Sequence, residues 1–151
     1  MSSRTTITLG ERIDIWRSLM EVHAAVVSEL GTELTARHGL SVNEFDALVN
    51  IPTAGLRHRE LTDRVILSQS ALSRLLDRLE ARELIERSEA HADGRGVEIR
   101  LTTAGRTLKT QAVRTNATVV ERAFTGQLTD RELTVLASAL ERICAAARAS
   151  E

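Results

Sequence analysis

The 151-residue sequence predicts a mainly α fold with one small β hairpin. Three observations predict it. A single proline and many Ala, Leu, Arg and Glu residues favour helix. Leu72, Leu75, Leu76 and Leu79 recur at i, i+3, i+4 and i+7, which makes one apolar stripe. Residues 84–87 and 97–101 alternate enough to be short strands, and the polar, glycine-bearing stretch between them suits a hairpin tip. Over 60–102 the order is short helix, tight turn, longer helix, hairpin. That order describes a winged helix-turn-helix, an arrangement that presents one helix to a DNA groove.

Composition bounds the rest. The hydrophobic content of 42% suffices for a core and excludes a disordered chain. The length suits one domain, read as 1–151, with a DNA-binding region at 41–102 and dimerisation helices at 10–38 and 103–149. At 2% aromatic content, stacking on single-stranded nucleic acid is not expected. The formal net charge of −1 is unusual for a DNA-binding chain, although a dimer can concentrate its arginines on one face. Arg57, Arg59, Arg74, Arg78, Arg87 and Arg95 could form it. One cysteine excludes an intrachain disulfide. The first residues lack the apolar core of a signal peptide, and no apolar run approaches membrane-spanning length. A cytoplasmic setting is expected, with no membrane partner.

Taken in order, residues 1–9 are expected to be loose. Ile13, Trp16, Met20, His23, Ala24, Val27 and Leu34 mark a helix over 10–38, interrupted at Gly31 and closed by Gly39. Ser41 and Glu44 form a capping box, with Leu40 and Phe45 as its hydrophobic staple. That helix ends near Asn50, because Pro52 bars continuation. Residues 53–59 read as a loop, with a short strand at 56–57 pairing with the wing. Ser68 caps the central helix, and Leu67 and Leu72 staple it. Its outward face carries Ser70, Arg74 and Asp77, flanked by Ser73 and Arg78, with Gln69 in the first turn. Thr102 caps a helix over 103–126. Thr129 and Glu132 box the last helix, which carries Leu133, Leu136, Leu140, Ile143 and Ala147. The outer helices hold more apolar surface than one chain covers, so a symmetric dimer is expected, the competing arrangement being an intrachain bundle.

The motifs resemble those of the MarR family of transcription regulators. The resemblance rests on Glu60-Leu61, Leu67-Ser68-Gln69-Ser70, Ser73-Arg74-Leu75-Leu76-Asp77-Arg78-Leu79-Glu80, Leu84-Ile85-Glu86-Arg87, Asp93-Gly94-Arg95-Gly96 and Leu101-Thr102-Thr103-Ala104-Gly105. It implies a homodimer on a pseudo-palindromic double-stranded DNA site, probed by one recognition helix and one wing per half. It also implies release by a small anionic aromatic ligand or an oxidant. Two positions depart from the pattern. Ile66 and Glu83 stand where the family usually has glycine, so either the turn at Ile66 uses a different backbone or the helix before it runs on a little.

The site residues follow. Gln69, Ser70, Ser73 and Arg74 are expected to read the major groove beside Ser68 at the helix start. Arg78 and Arg87 are expected on the phosphate-facing surface, and Arg95, oriented by Asp93, in the minor groove. The plain alternatives are an amphipathic surface helix and a solvated turn. Trp16, with His23 and Phe45, could line a cleft for an aromatic anion, the alternative being core packing. His23, His38, His58 and His91 form no ligand spacing, so no metal and no cofactor is expected. Cys144 reads as a small buried hydrophobe. No nucleophile or carboxylate constellation supports an enzyme. The rival reading is a winged-helix protein-interaction module without specific DNA binding.

Overall fold

The computed structural model describes residues 6–89 and 96–149. The helices are α1 (Leu9–His38), α2 (Val42–Asn50), α3 (His58–Arg64), α4 (Gln69–Ala81), α5 (Thr103–Ala123) and α6 (Asp130–Arg148). Strand β1 (Leu56–Arg57) precedes α3, and β2 (Ile85–Glu89) and β3 (Val97–Leu101) lie between α4 and α5. A single 3-10 turn, Thr125–Gln127, stands between α5 and α6.

Helix starts follow side-chain capping, which satisfies backbone donors that the first turn leaves orphaned. Ser41 Oγ accepts from the Glu44 N–H at 3.2 Å, and Glu44 Oε2 accepts from the Ser41 N–H at 2.8 Å. Thr129 and Glu132 repeat the reciprocal pair at α6. The same pair at Thr8 and Glu11 starts α1 at Leu9, closer to the N-terminus than expected. In both Glu11 and Glu132, the hydrogen bond from the capping residue's backbone holds the carboxyl below its usual range. Helix α3 begins at His58, inside the stretch expected as loop, because Glu60 Oε2 accepts the Arg57 N–H at 2.7 Å.

Other boundaries differ for similar local reasons. Gly31 does not interrupt α1, which runs through it. Strand β2 starts at Ile85 rather than 84, and the Leu84 carbonyl instead accepts the Thr102 N–H at 3.1 Å. Helix α5 stops at Ala123, where Phe124 leaves helical backbone and leads into the 3-10 turn.

The chain divides into two compact units, residues 29–116 and residues 1–28 with 117–151. In the first, the sheet order is β1-β3-β2, antiparallel throughout. Ile85 stands opposite Leu101, and Ile99 lies between Leu56 and Arg87. Those apolar strand residues are buried, together with Leu48, Ile51 and Leu61 of the helical layer. Each buried leucine or isoleucine contributes about 1.5–3 kcal/mol. Lys109 Nζ donates to the carbonyls of Val49 at 3.0 Å and Ile51 at 2.8 Å, so a cation from α5 closes the C-terminal end of α2. Burial pushes the Lys109 ammonium below its usual pKa.

The second unit has a different character. Val119 of α5 is buried, whereas Ile13, Ile15, Trp16, Leu19 and Met20 of α1 are exposed, as are Val135, Leu140 and Ile143 of α6. Cys144, expected to be buried, is exposed, because α6 presents its half-buried side through Leu133, Leu136 and Ala139. Among the described residues, no helix is long and apolar enough to cross a membrane.

Candidate nucleic-acid interface

The candidate surface lies wholly within residues 29–116 and is organised by α4. Leu72, Leu75, Leu76 and Leu79 are each at most 2% exposed, so the helix can turn only one face outward. Ser68 Oγ accepts the Ala71 N–H at 3.2 Å and fixes where that face begins. Gln69, Ser70, Arg74, Asp77 and Arg78 are exposed, and Ser73 is half-buried. Gln69 and Arg74 make no side-chain hydrogen bond or ion pair among the described residues, so their donors are open to an incoming partner.

Two of the other expected cations, Arg78 and Arg87, are already engaged. Arg78 Nε reaches Glu44 Oε1 at 3.3 Å, which ties α4 to the cap of α2. Its side chain is still 58% exposed, so part of the guanidinium fork points outward. Arg87 is a different case. Its Nε donates to Glu80 Oε2 at 2.9 Å, and its Nη2 donates to Asp77 Oδ1 at 2.7 Å. The hydrogen bond from Arg87 holds the Glu80 carboxyl below its usual range. Hydrogen bonds to Glu80 and then Asp77 push the Arg87 pKa up. Arg87 was expected on the phosphate face, but two carboxylates hold its charge. It joins β2 to α4 and neutralises the outward Asp77.

Backbone geometry at the helix ends answers the two glycine departures. Glu83 has φ +57°, the only left-handed non-glycine among the described residues. It ends α4 in a Schellman arrangement, with the Leu84 N–H on Leu79 O at 3.0 Å and the Glu83 N–H on Glu80 O at 2.8 Å. Ile66 is not left-handed, and α3 ends at Arg64, so the turn between α3 and α4 carries an isoleucine without left-handed strain.

Asp93 and Arg95, expected at the wing tip, lie outside the described residues. Trp16 is 62% exposed, so within one chain it is not a core residue. His23 is also exposed, and Phe45 is half-buried in the other unit. No group of three or more metal-ligating side chains occurs among the described residues. Sequence reasoning missed the Asp77–Arg87–Glu80 clamp and the cation Arg82, whose guanidinium donates to the Gly39 and His38 carbonyls at 2.8 and 3.2 Å. The clamp crosses from helix to strand, and Arg82 reaches back 43 residues, beyond any local spacing rule.

A helix-turn-helix with an antiparallel hairpin at its flank defines a winged helix-turn-helix protein. Comparison with known proteins narrows the class. The model of the MarR family matches residues 38–96. The chain is 28% identical over 140 residues to YsmB of Bacillus subtilis (strain 168), an uncharacterized HTH-type transcriptional regulator, covering 92% of this chain and 94% of that one. It is similar to the crystal structure of AbsC, a MarR family transcriptional regulator from Streptomyces coelicolor, with a TM-score of 0.81, 28% identity and 95% and 98% of the two chains covered. It is also similar to a mutant MarR from E. coli complexed with operator DNA, with a TM-score of 0.75, 26% identity and 91% and 99% covered. Over most of its length the chain is similar to MarR family winged helix-turn-helix transcription regulators, and the family model matches its helix-turn-helix and hairpin region.

Proposed function

We propose that this protein is a homodimeric, sequence-specific regulator of transcription that binds double-stranded DNA in the cytoplasm, acting as a repressor relieved by a small anionic aromatic ligand. The outward first turns of α4 carry the reading. Four buried leucines fix the helix, and Gln69, Ser70 and Arg74 stand exposed on the opposite side. Small side chains at a helix N-terminus allow close approach to base edges, and an unengaged arginine suits a guanine. The similarity to a MarR complexed with operator DNA supports the same use of this surface.

In this reading Ser68, Gln69, Ser70, Ser73 and Arg74 occupy the major groove. The outward part of the Arg78 guanidinium meets phosphate, and Arg95 enters the minor groove beside Asp93. Arg87 acts indirectly, by cancelling the charge of Asp77. The exposed apolar residues of α1 and α6 form the dimer surface. Trp16 and His23, together with Phe45, would respond to the ligand.

Fluorescence anisotropy on a duplex from the protein's own upstream region, against a scrambled duplex at two salt concentrations, tests the proposal. Tight binding to the first duplex only, weakening with salt, is expected. Equal weak binding to both would favour a protein-interaction role. Saturable quenching of Trp16 by salicylate-like acids, with release of the duplex, is expected for the ligand. No saturable response across such a panel would remove it.

A further inference from the structure

We infer that Ile66 reads DNA sequence directly, by packing its apolar side chain against the 5-methyl group of a thymine at the edge of the groove that α4 enters. The inference rests on the DNA-binding reading above and adds a residue to it. Ile66 is 100% exposed, whereas Val65 beside it is buried and Leu67 is half-buried. Folding therefore gains nothing from its side chain. Nor does the backbone require it, since its φ is not in the left-handed region and a polar residue would serve the turn equally well.

Position supplies the reason for an apolar side chain there. Ile66 precedes the cap Ser68 by two residues, so the two Cα atoms are within about 7 Å of each other. It shares the N-terminal end of α4 with Gln69 and Ser70, both exposed. An isoleucine has no polar atom for phosphate. The major groove displays one apolar group, the thymine methyl. A β-branched side chain is stiff about χ1 and gives up little rotamer freedom when it docks. A contact with deoxyribose would also be apolar, but it would not distinguish one base from another.

The test replaces thymine by deoxyuridine, which removes that methyl group and nothing else. A duplex is first selected from a random pool with the wild-type dimer, and each thymine is then replaced in turn. For wild type, one replacement per half-site is expected to weaken binding about fourfold, the equivalent of one buried methyl-sized group. In Ile66→Ala and Ile66→Ser that difference disappears. Thermal melting of both variants should match wild type, because the side chain is not buried. Three outcomes overturn the inference: wild type indifferent to every replacement, variants that keep its full discrimination, or variants weakened equally on every duplex. If wild type enriches no duplex at all, the regulator reading itself fails, which is seen before any thymine is replaced.

Discussion

At the scale of single residues, two backbone positions carry measurable strain or tolerance. Glu83 holds a left-handed conformation, at φ +57°, that costs an L-residue about 1 kcal/mol relative to glycine. Glu83→Gly is therefore expected to raise stability by about 1 kcal/mol, read from the urea midpoint at fixed protein concentration. An unchanged or lower midpoint would show that the carboxylate contributes more than the backbone costs. Gly105 is the opposite case. A Cβ there would lie 1.9 Å from the Leu84 carbonyl oxygen, a backbone atom fixed by the Thr102 N–H. Gly105→Ala is expected to cost about 3 kcal/mol or more, since neither partner can retreat. Denaturation near the wild-type midpoint would mean that β2 and α5 separate easily. The sequence made one of these features legible, because Glu83 stood where a glycine was expected. The clash at Gly105 was not legible, since it depends on a carbonyl 21 residues earlier in the chain. Capping was readable where the signal was uninterrupted, as at Ser41 and Thr129. At Thr8 the same spacing falls within residues 1–9, which read as loose, so the cap that starts α1 at Leu9 was not legible.

Among the elements, α4 and β2 are joined by charge as well as by leucines. Arg87 bonds two carboxylates of α4 while its own side chain is 26% exposed. Solvent screens such a pair, so Arg87→Met should lower stability by only about 1 kcal/mol. The pH dependence gives a sharper test. The Glu80 carboxyl lies below its ordinary value of 4.5 in the folded chain, chiefly through the hydrogen bond from Arg87. A carboxylate with a lowered folded pKa binds fewer protons when folded than when unfolded. Its stabilisation is complete above about 4.5 and is lost as pH falls through the lower folded value. Urea midpoints should therefore separate wild type from Arg87→Met at pH 7 and converge below pH 4.5. A gap that does not narrow as pH falls would assign the effect to packing of the Arg87 stem. The same substitution uncovers Asp77 on the outward face, so duplex affinity should fall with the loss of the charge that offsets that carboxylate. Helices α2, α4 and α6 were legible as elements because their caps and stripes are local. The clamp was not, because spacing within a sequence says nothing about which helix face a strand residue meets.

For the whole molecule, the unequal distribution of apolar surface is the feature that remains to be explained. Residues 29–116 bury their leucines within one chain, whereas the outer helices leave Ile13, Trp16, Leu19, Leu140 and Ile143 exposed. Burying such side chains contributes about 1.5–3 kcal/mol each, so a symmetric partner covering several of them would hold the protein together at micromolar concentration. Sedimentation velocity of wild type should accordingly show a dimer. The double substitution Leu140→Asp with Ile143→Asp places two charges where apolar contact is expected, and it should yield a folded monomer. Both residues are exposed in the single chain, so circular dichroism should change little. The consequence for function follows from geometry. One protomer presents one α4 and one wing, enough for half of a pseudo-palindromic site and no more. The monomer should therefore bind a half-site as weakly as the full operator, whereas the wild-type dimer should prefer the full operator by at least about a hundredfold. A wild-type monomer at micromolar concentration would overturn the dimer, and a double variant that still sediments as a dimer would move the assembly surface away from α6.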